Sequence, residues 1–215
     1  MSRLWVTAVL SLVSSCVAAY PRSVPGLFSA EETVRIEALF EDATPEVDVR
    51  EDVHVSRTNR WLSGAALASG RFDWVATKIL AADDSWDGAN PFDPGGWLRS
   101  RVEFVLLHEF KAGDYFSWHV DATPNDVLGE HGHGDTRFLN VNVLLRDPSD
   151  FDGGALQVGA TNVSLGRGDL HVYRASTPHR VHPITRGVRR TLVVATTEAP
   201  GGRERYWASA RAGNG

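Results

Sequence analysis

From Arg99 onward the chain breaks into short stretches of alternating character separated by Gly, Pro and Asp. No other feature constrains the fold as strongly. Runs of four to eight residues with a period of two, bounded by turn formers, read as strands. The pattern predicts strands over Arg101–Phe110, Tyr115–Val120, Arg137–Leu145, Ala155–Val158, Val163–Leu165, Asp169–Tyr173, Arg180–His182 and Arg189–Thr197. Gly113-Asp114, Asp147–Gly154 and Pro183–Gly187 read as turns, and the polar stretches 83–96 and 122–136 as loops. In the Arg137–Leu145 strand, Asn140, Asn142 and Leu144 share one face.

Helices are expected earlier. Ser29-Ala30-Glu31-Glu32 is a capping box, Ser at the N-cap and Glu three places on, opening a helix to about Glu41. Ile36, Leu39 and Phe40 give that helix one apolar face. A second helix is predicted over Arg71–Ala82, with Val75 and Ile79 inward, and 48–62 alternates loosely enough to hold a strand. Helices followed by many regularly spaced strands predict an α+β, mostly β chain. Its expected form is a double-stranded β-helix (jelly roll) with N-terminal supporting helices.

His119-x-Asp121 lies on one of these strands, so the imidazole and the carboxylate point to one face. His179, at the start of a later strand, supplies a second imidazole. Two histidines and one carboxylate with open positions between them suit a non-haem Fe(II) centre. Arg189 follows ten positions after His179. A hairpin through Pro183–Gly187 is expected to bring its guanidinium into the same cavity, with Thr191 on the same strand face.

Composition narrows the alternatives. The single cysteine, Cys16, excludes an internal disulfide framework and a Cys-based zinc site. A net charge of −5 and scattered arginines do not make a nucleic-acid footprint. The first 19 residues stand apart: a basic start at Arg3, an apolar run from Leu4 to Val13, and Val17-Ala18-Ala19 as small residues for cleavage. They read as a signal peptide or an N-terminal extension, too short for a membrane span, and place the protein in the secretory pathway or exported, with a cytoplasmic location as the alternative. Val13-Ser14-Ser15-Cys16 also has the form of a lipoprotein box, and Asn162-Val163-Ser164 is a glycosylation sequon. Residues 20–199 then form the functional domain and 200–215 a loose tail.

Several linked motifs stand in one order: Gly113 ahead of His119-x-Asp121, Gly153-Gly154-Ala155-Leu156, Gly166-Arg167-Gly168-Asp169, and His179-Arg180-Val181-His182-Pro183 through Arg189. From Val24 to about Thr197 the chain resembles the Fe(II)- and 2-oxoglutarate-dependent dioxygenases, in their prolyl 4-hydroxylase-like branch. The resemblance implies that His119, Asp121 and His179 ligate iron and that Arg189, with Thr191, grips the distal carboxylate of 2-oxoglutarate. Where that family often has Thr in an Arg-x-x-Thr motif, this chain has Asn140 after Arg137. The implied cofactors are Fe(II), 2-oxoglutarate, O2 and, in some members, ascorbate. The implied substrate is a protein, a peptide (prolyl among the options) or a small molecule, hydroxylated at C–H as 2-oxoglutarate yields succinate and CO2.

One departure stands out. The family places a tyrosine nine positions before the first histidine ligand and often another three before it; here those positions are Phe110 and Phe116. Either Asn140, Asn142, Tyr173 or Thr191 supplies the missing hydrogen bond, or 2-oxoglutarate is held less tightly. A jelly-roll metal-binding protein that has lost turnover, or a metalloenzyme independent of 2-oxoglutarate, is the alternative. The retained Arg189 argues against both, because a buried guanidinium is costly unless paired. Elsewhere, His131-x-His133 reads as a solvated loop, or as a lid. His108, His171 and His182 read as structural, and Trp118 as packing or as a wall of the substrate entrance.

Overall fold

A computed structural model describes residues 21–51, 55–82, 102–122 and 137–197. The predicted signal segment, the loops 83–96 and 123–136 and the tail 200–215 lie outside the described residues. Three helices are described: α1 (Ala30–Ala38), α2 (Gly64–Ala68) and α3 (Asp73–Ala81). The strands are β1 (Arg22–Val24), β2 (Pro45–Arg50), β3 (Val55–Trp61), β4 (Val102–Lys111), β5 (Tyr115–His119), β6 (Arg137–Leu144), β7 (Phe151–Gly153), β8 (Leu156–Val158), β9 (Thr161–Val163), β10 (Leu170–Arg174), β11 (His179–Val181) and β12 (Ile184–Thr197).

The capping box forms as its spacing dictates. Ser29 Oγ accepts from Glu32 N at 3.2 Å, and Glu32 Oε2 accepts from Ser29 N at 2.7 Å. Lys78 of α3 reaches back to the same glutamate at 2.6 Å, tying the two helices together. The first helix is shorter than expected because Leu39 already closes it. α2 was not foreseen; it is a single short turn, Gly-Ala-Ala-Leu-Ala, capped by Ser63.

All strand pairs are antiparallel and join into one sheet in the order β1-β10-β6-β12-β4-β3-β5-β11-β8-β9, with β2 beside β3 and β7 beside β12. A sheet that wide curls, and its two flanks face each other as in a jelly roll. Alternation assigns each strand two faces. Val105, Leu107, Leu139, Val141, Val143, Leu170, Val172, Leu192 and Val194 form one core with Phe28, Ile36, Phe40, Val75 and Ile79. The opposite face meets a smaller cluster of Phe110, Leu156, Val158, Tyr173, Val181 and Ile184.

The stretch predicted as one loose strand over 48–62 is two strands, β2 and β3, paired from Pro45↔Arg60 to Arg50↔Val55. The hairpin expected between His179 and Arg189 is absent. β11 pairs with β5 and β8, whereas β12 starts at Ile184, runs through the predicted turn, and pairs with β7, β4 and β6. His179 and Arg189 thus stand on opposite flanks of the curl.

Candidate active site

Strand pairing brings the first histidine to the second. His119 ends β5 and His179 begins β11, and the two are direct Cα partners in that ladder. Asp121 lies two residues beyond His119, where its N–H donates to Ala175 O at 2.9 Å. His119 Nε2 is 3.7 Å from one carboxylate oxygen of Asp121, and His179 Nε2 is 3.4 Å from the other. The three donor atoms lie within 4.8 Å of one another. A first-row divalent ion sits about 2 Å from each donor, so small side-chain movements close this set around one.

The rings are oriented from behind. His119 Nδ1 is 2.8 Å from Ser117 O, and His179 Nδ1 is 2.9 Å from Thr177 O. A carbonyl only accepts, so each Nδ1 carries the proton and each Nε2 presents a lone pair to the cluster. Burial, and then the neighbouring His179, holds His119 down to about pKa 4, so the imidazole is neutral and ready to ligate. Asn140 Nδ2 donates to Asp121 at 2.6 Å and fixes the carboxylate. Phe116, in the position where the family pattern has tyrosine, stacks on His119 with centroids 3.5 Å apart and 14° between planes.

A cleft of about 450 Å³ opens onto this cluster, lined by Asn140, His119, Asp121 and His179 on one side and by Arg57, Asn59 and His108 on the other. Arg57 packs over Phe116 at 4.4 Å and pairs with Asp48 at 3.1 Å. Sequence reading missed Arg57 and Asn59. The signal was there: with Trp61 they occupy alternate positions of β3 and so share a face. His108, read as structural, instead borders the cleft, its pKa driven well below the usual value by burial and by the charges of Arg57 and Arg189. His171 does find a structural partner in Ser23, at 2.8 Å, and His182 in Gln157, at 3.1 Å. Trp118 is 46% exposed beneath the Arg180 guanidinium and does not line the cleft.

Arg189, expected in the same cavity as His179, does not line that cleft; it borders a second cavity of about 290 Å³ with Gly153, Gly154 and Leu156, and Thr191 is buried beside it. Arg189 Nη1 donates to Thr191 Oγ1 at 2.6 Å, and the guanidinium stands 6.0 Å from the centroid of the Phe110 ring. The guanidinium is 4% exposed, and burial lowers its pKa to about 10, which leaves it charged at neutral pH. Among the described residues no carboxylate pairs with it. A buried unpaired cation is expensive, so this pocket fits an anionic ligand. Gly154 clears its path, while Gly153 lets the chain pass close to the Pro183 carbonyl. Both have positive φ, +80° and +64°, and a Cβ on Gly154 would overlap the tip of Ile184 and press on Arg189 Cδ at 3.0 Å.

Comparison with known proteins agrees with this geometry. The family model of the 2OG-Fe(II) oxygenase superfamily matches residues 105–196. The chain is 33% identical over 175 residues to a PKHD-type hydroxylase of Phenylobacterium zucineum, and 27% identical over 184 residues to the PKHD-type hydroxylase PiuC of Pseudomonas aeruginosa. Each match covers 77% of this chain and 73% of the relative. Among solved structures, the viral collagen prolyl hydroxylase of Paramecium bursaria Chlorella virus-1 in its 2OG complex superposes with a TM-score of 0.61 at 16% identity, covering 86% of this chain and 99% of that one.

Proposed function

Because the chain belongs to the PKHD-type hydroxylases of the 2-oxoglutarate- and Fe(II)-dependent oxygenase superfamily, we propose that His119, Asp121 and His179 hold its iron. In the same reading Arg189 and Thr191 hold the distal carboxylate of 2-oxoglutarate. The observation that carries the assignment is the pair of imidazoles locked through Nδ1, with both Nε2 atoms turned to one carboxylate. Bound iron and 2-oxoglutarate supply the oxidising chemistry: O2 is consumed, 2-oxoglutarate leaves as succinate and CO2, and a substrate C–H becomes C–OH.

The chain's own residues orient and enclose. Two neutral imidazoles and one carboxylate offset a divalent charge by one unit and leave the remaining coordination positions open to a chelating 2-oxo acid and O2. Asn140 holds the Asp121 carboxylate in one pose. Phe116 stacks on the His119 ring, and Arg57 packs over Phe116 in turn. A planar guanidinium suits a carboxylate held by two parallel N–H bonds, and Thr191, already accepting from Arg189, has its hydroxyl proton left to donate. Asn140 thus belongs to the cofactor site through the metal-binding carboxylate.

The substrate in this reading is a polar peptide, protein or small molecule, because the cleft in front of the triad carries both Asp48 and Arg57. Ascorbate would serve as a reductant, and residues 1–19 would direct export; sequencing the mature N-terminus tests the latter. The test of the main reading is succinate release with Fe(II), 2-oxoglutarate and O2, with and without candidate peptides. His119→Ala should abolish it and should also abolish stoichiometric Fe(II) uptake. Turnover that survives in His119→Ala would remove the ligand assignment.

A further inference from the structure

Strand β2 pairs with β3 along its whole length, from Pro45↔Arg60 to Arg50↔Val55, and its other edge has no strand beside it among the described residues. Such an edge carries a row of N–H and C=O groups ready to pair with another chain, unless proline, a bulge or charge blunts it. Pro45 blunts only the first position, and the register to β3 runs without a bulge. The two faces of the strand differ. Glu46, Asp48 and Arg50 line the cleft. Val47 and Val49 point the other way and are 71% and 62% exposed, the most exposed large apolar side chains among the described residues. Their rung neighbours on β3 are Thr58 and Ser56, so β3 sets a hydroxyl residue, not an apolar one, beside each valine.

The strand, Pro-Glu-Val-Asp-Val-Arg, is complementary to its own reverse. A second copy laid antiparallel along the free edge, with a two-fold axis at Asp48, sets Glu46 opposite Arg50 of the partner subunit, and the symmetry makes that pair twice. On the other face Val47 stands opposite Val49 of the partner subunit, again twice. Opposite charges directly across an antiparallel ladder stabilise it and like charges destabilise it, while facing valines bury each other's apolar surface. The single like pair, Asp48 against its own copy, is already compensated inside each chain. Its carboxylate lies 2.7 Å from Arg50 Nε and 3.1 Å from the Arg57 guanidinium. Moving the axis by one residue loses the match. Centred on Val47, it sets Glu46 against Asp48 of the partner subunit; centred on Val49, it leaves Val47 facing Glu51 of the partner subunit.

We propose that β2 is an interaction surface for a second copy of this chain, paired edge to edge about a two-fold axis at Asp48. The contact is isologous, so it closes at two copies and joins the two sheets into one. Six residues a side bury far less than the roughly 1,600 Å² of a standard interface, so the dimer is weak and reversible. Because Glu46, Asp48 and Arg50 line the cleft, the joint brings Arg50 of the partner subunit to the rim of each cleft. The proposal does not depend on which metal or cosubstrate the site holds.

Sedimentation velocity of the full chain from about 10 μM to about 1 mM reads the association. The wild-type chain should pass from monomer to dimer across that range. Glu46→Arg puts two Arg–Arg pairs into the ladder and Arg50→Glu two Glu–Glu pairs, so each alone should weaken self-association about 10-fold or more. Mixed in equal amounts, the two variants should recover the wild-type strength within about 3-fold, because every charged contact then joins Arg to Glu. A fluorophore on one variant identifies the mixed dimer. A wild-type chain that stays monomeric to the top of the range overturns the proposal. So does association that neither variant weakens, or a mixture that recovers nothing, since the contact would then lie on another face or in another register. Glu46 also accepts a hydrogen bond from the Trp61 indole at 2.7 Å. Should a charge variant fail to fold, Val47→Lys decides, with its ammonium facing Val49 of the partner subunit. Association weakened about 10-fold supports the pairing; unchanged association sinks it.

Discussion

The two faces of β4, β6, β10 and β12 are made from the same strands and do opposite work. One face is Val and Leu against α1 and α3, sealed from solvent. The other carries His108, Asn140, Asn142, Tyr173, Arg189 and Thr191 at alternate positions of those strands. A residue's parity along a strand therefore decides whether it contributes to folding free energy or to ligand binding. The apolar face compensates for the polar one, whose groups are costly to bury until a metal and an anion complete them.

That division can be broken by experiment, starting with the largest effect. Asp121→Ala removes the carboxylate shared by both imidazoles. It should cut succinate release by at least roughly 1,000-fold, in keeping with loss of a metal ligand, while the melting temperature of metal-free protein barely moves. A large fall in that temperature would mean the inner face also bears the fold. Leu192→Ala, on the sealed face, should do the reverse. It should cost about 2–5 kcal/mol of stability by the usual cavity penalty with 2-oxoglutarate affinity unchanged in the folded fraction. A selective loss of affinity in calorimetry would show that the faces are coupled.

Gly154→Ala falls between them. The added Cβ meets the flexible tip of Ile184 and the stem of Arg189 in a backbone region that disfavours side chains. We expect a loss of about 1–2 kcal/mol in stability, together with several-fold weaker binding of 2-oxoglutarate but not of 2-oxopentanoate, which lacks the distal carboxylate. Equal losses for both acids would detach Gly154 from the Arg189 pocket. The last test is a pH slope. Burial holds His119 and His171 down to about 4 in the folded chain, against about 6.5 when unfolded. Between those values the unfolded state takes up protons that the native state refuses. Metal-free protein should therefore keep full stability above about pH 6.5 and lose it as the pH drops toward 4. His171→Asn should flatten that slope; an unchanged slope would mean that this imidazole is not held neutral by burial.

Much of this was legible before any coordinates. His119-x-Asp121 is a period-two statement, and Ser29 with Glu32 is a spacing that only a helix start satisfies. Both are local; the cap holds as spaced, and His119 and Asp121 do converge, although β5 stops at His119 and Asp121 lies in the bend beyond it rather than on the strand. What failed was long-range. The return from His179 to Arg189 looked like a hairpin because ten residues are enough for one. β11 instead takes β5 and β8 as partners, a choice made by burial of Val181 with Leu156 and Val158 that local spacing does not encode. β2 was missed for the opposite reason. It is held by backbone pairing to β3 with almost every side chain exposed, so it leaves no buried face to read.

β12 comes last among the described strands, yet it lies between β4 and β6, paired with β4 from Val188 to Thr196 and with β6 from Thr191 to Thr197. On the ribosome, β4 and β6 emerge with the gap between them unfilled. About 40 more residues must follow before the strand that belongs there exists, given synthesis at some 5–20 residues per second. For those seconds the nascent chain exposes two long unpaired edges rich in Val and Leu, which are templates for the wrong partner. The strand that carries Arg189 is thus also the one whose late arrival leaves those edges open, and slowing it should be felt first as aggregation and only afterwards as lost activity.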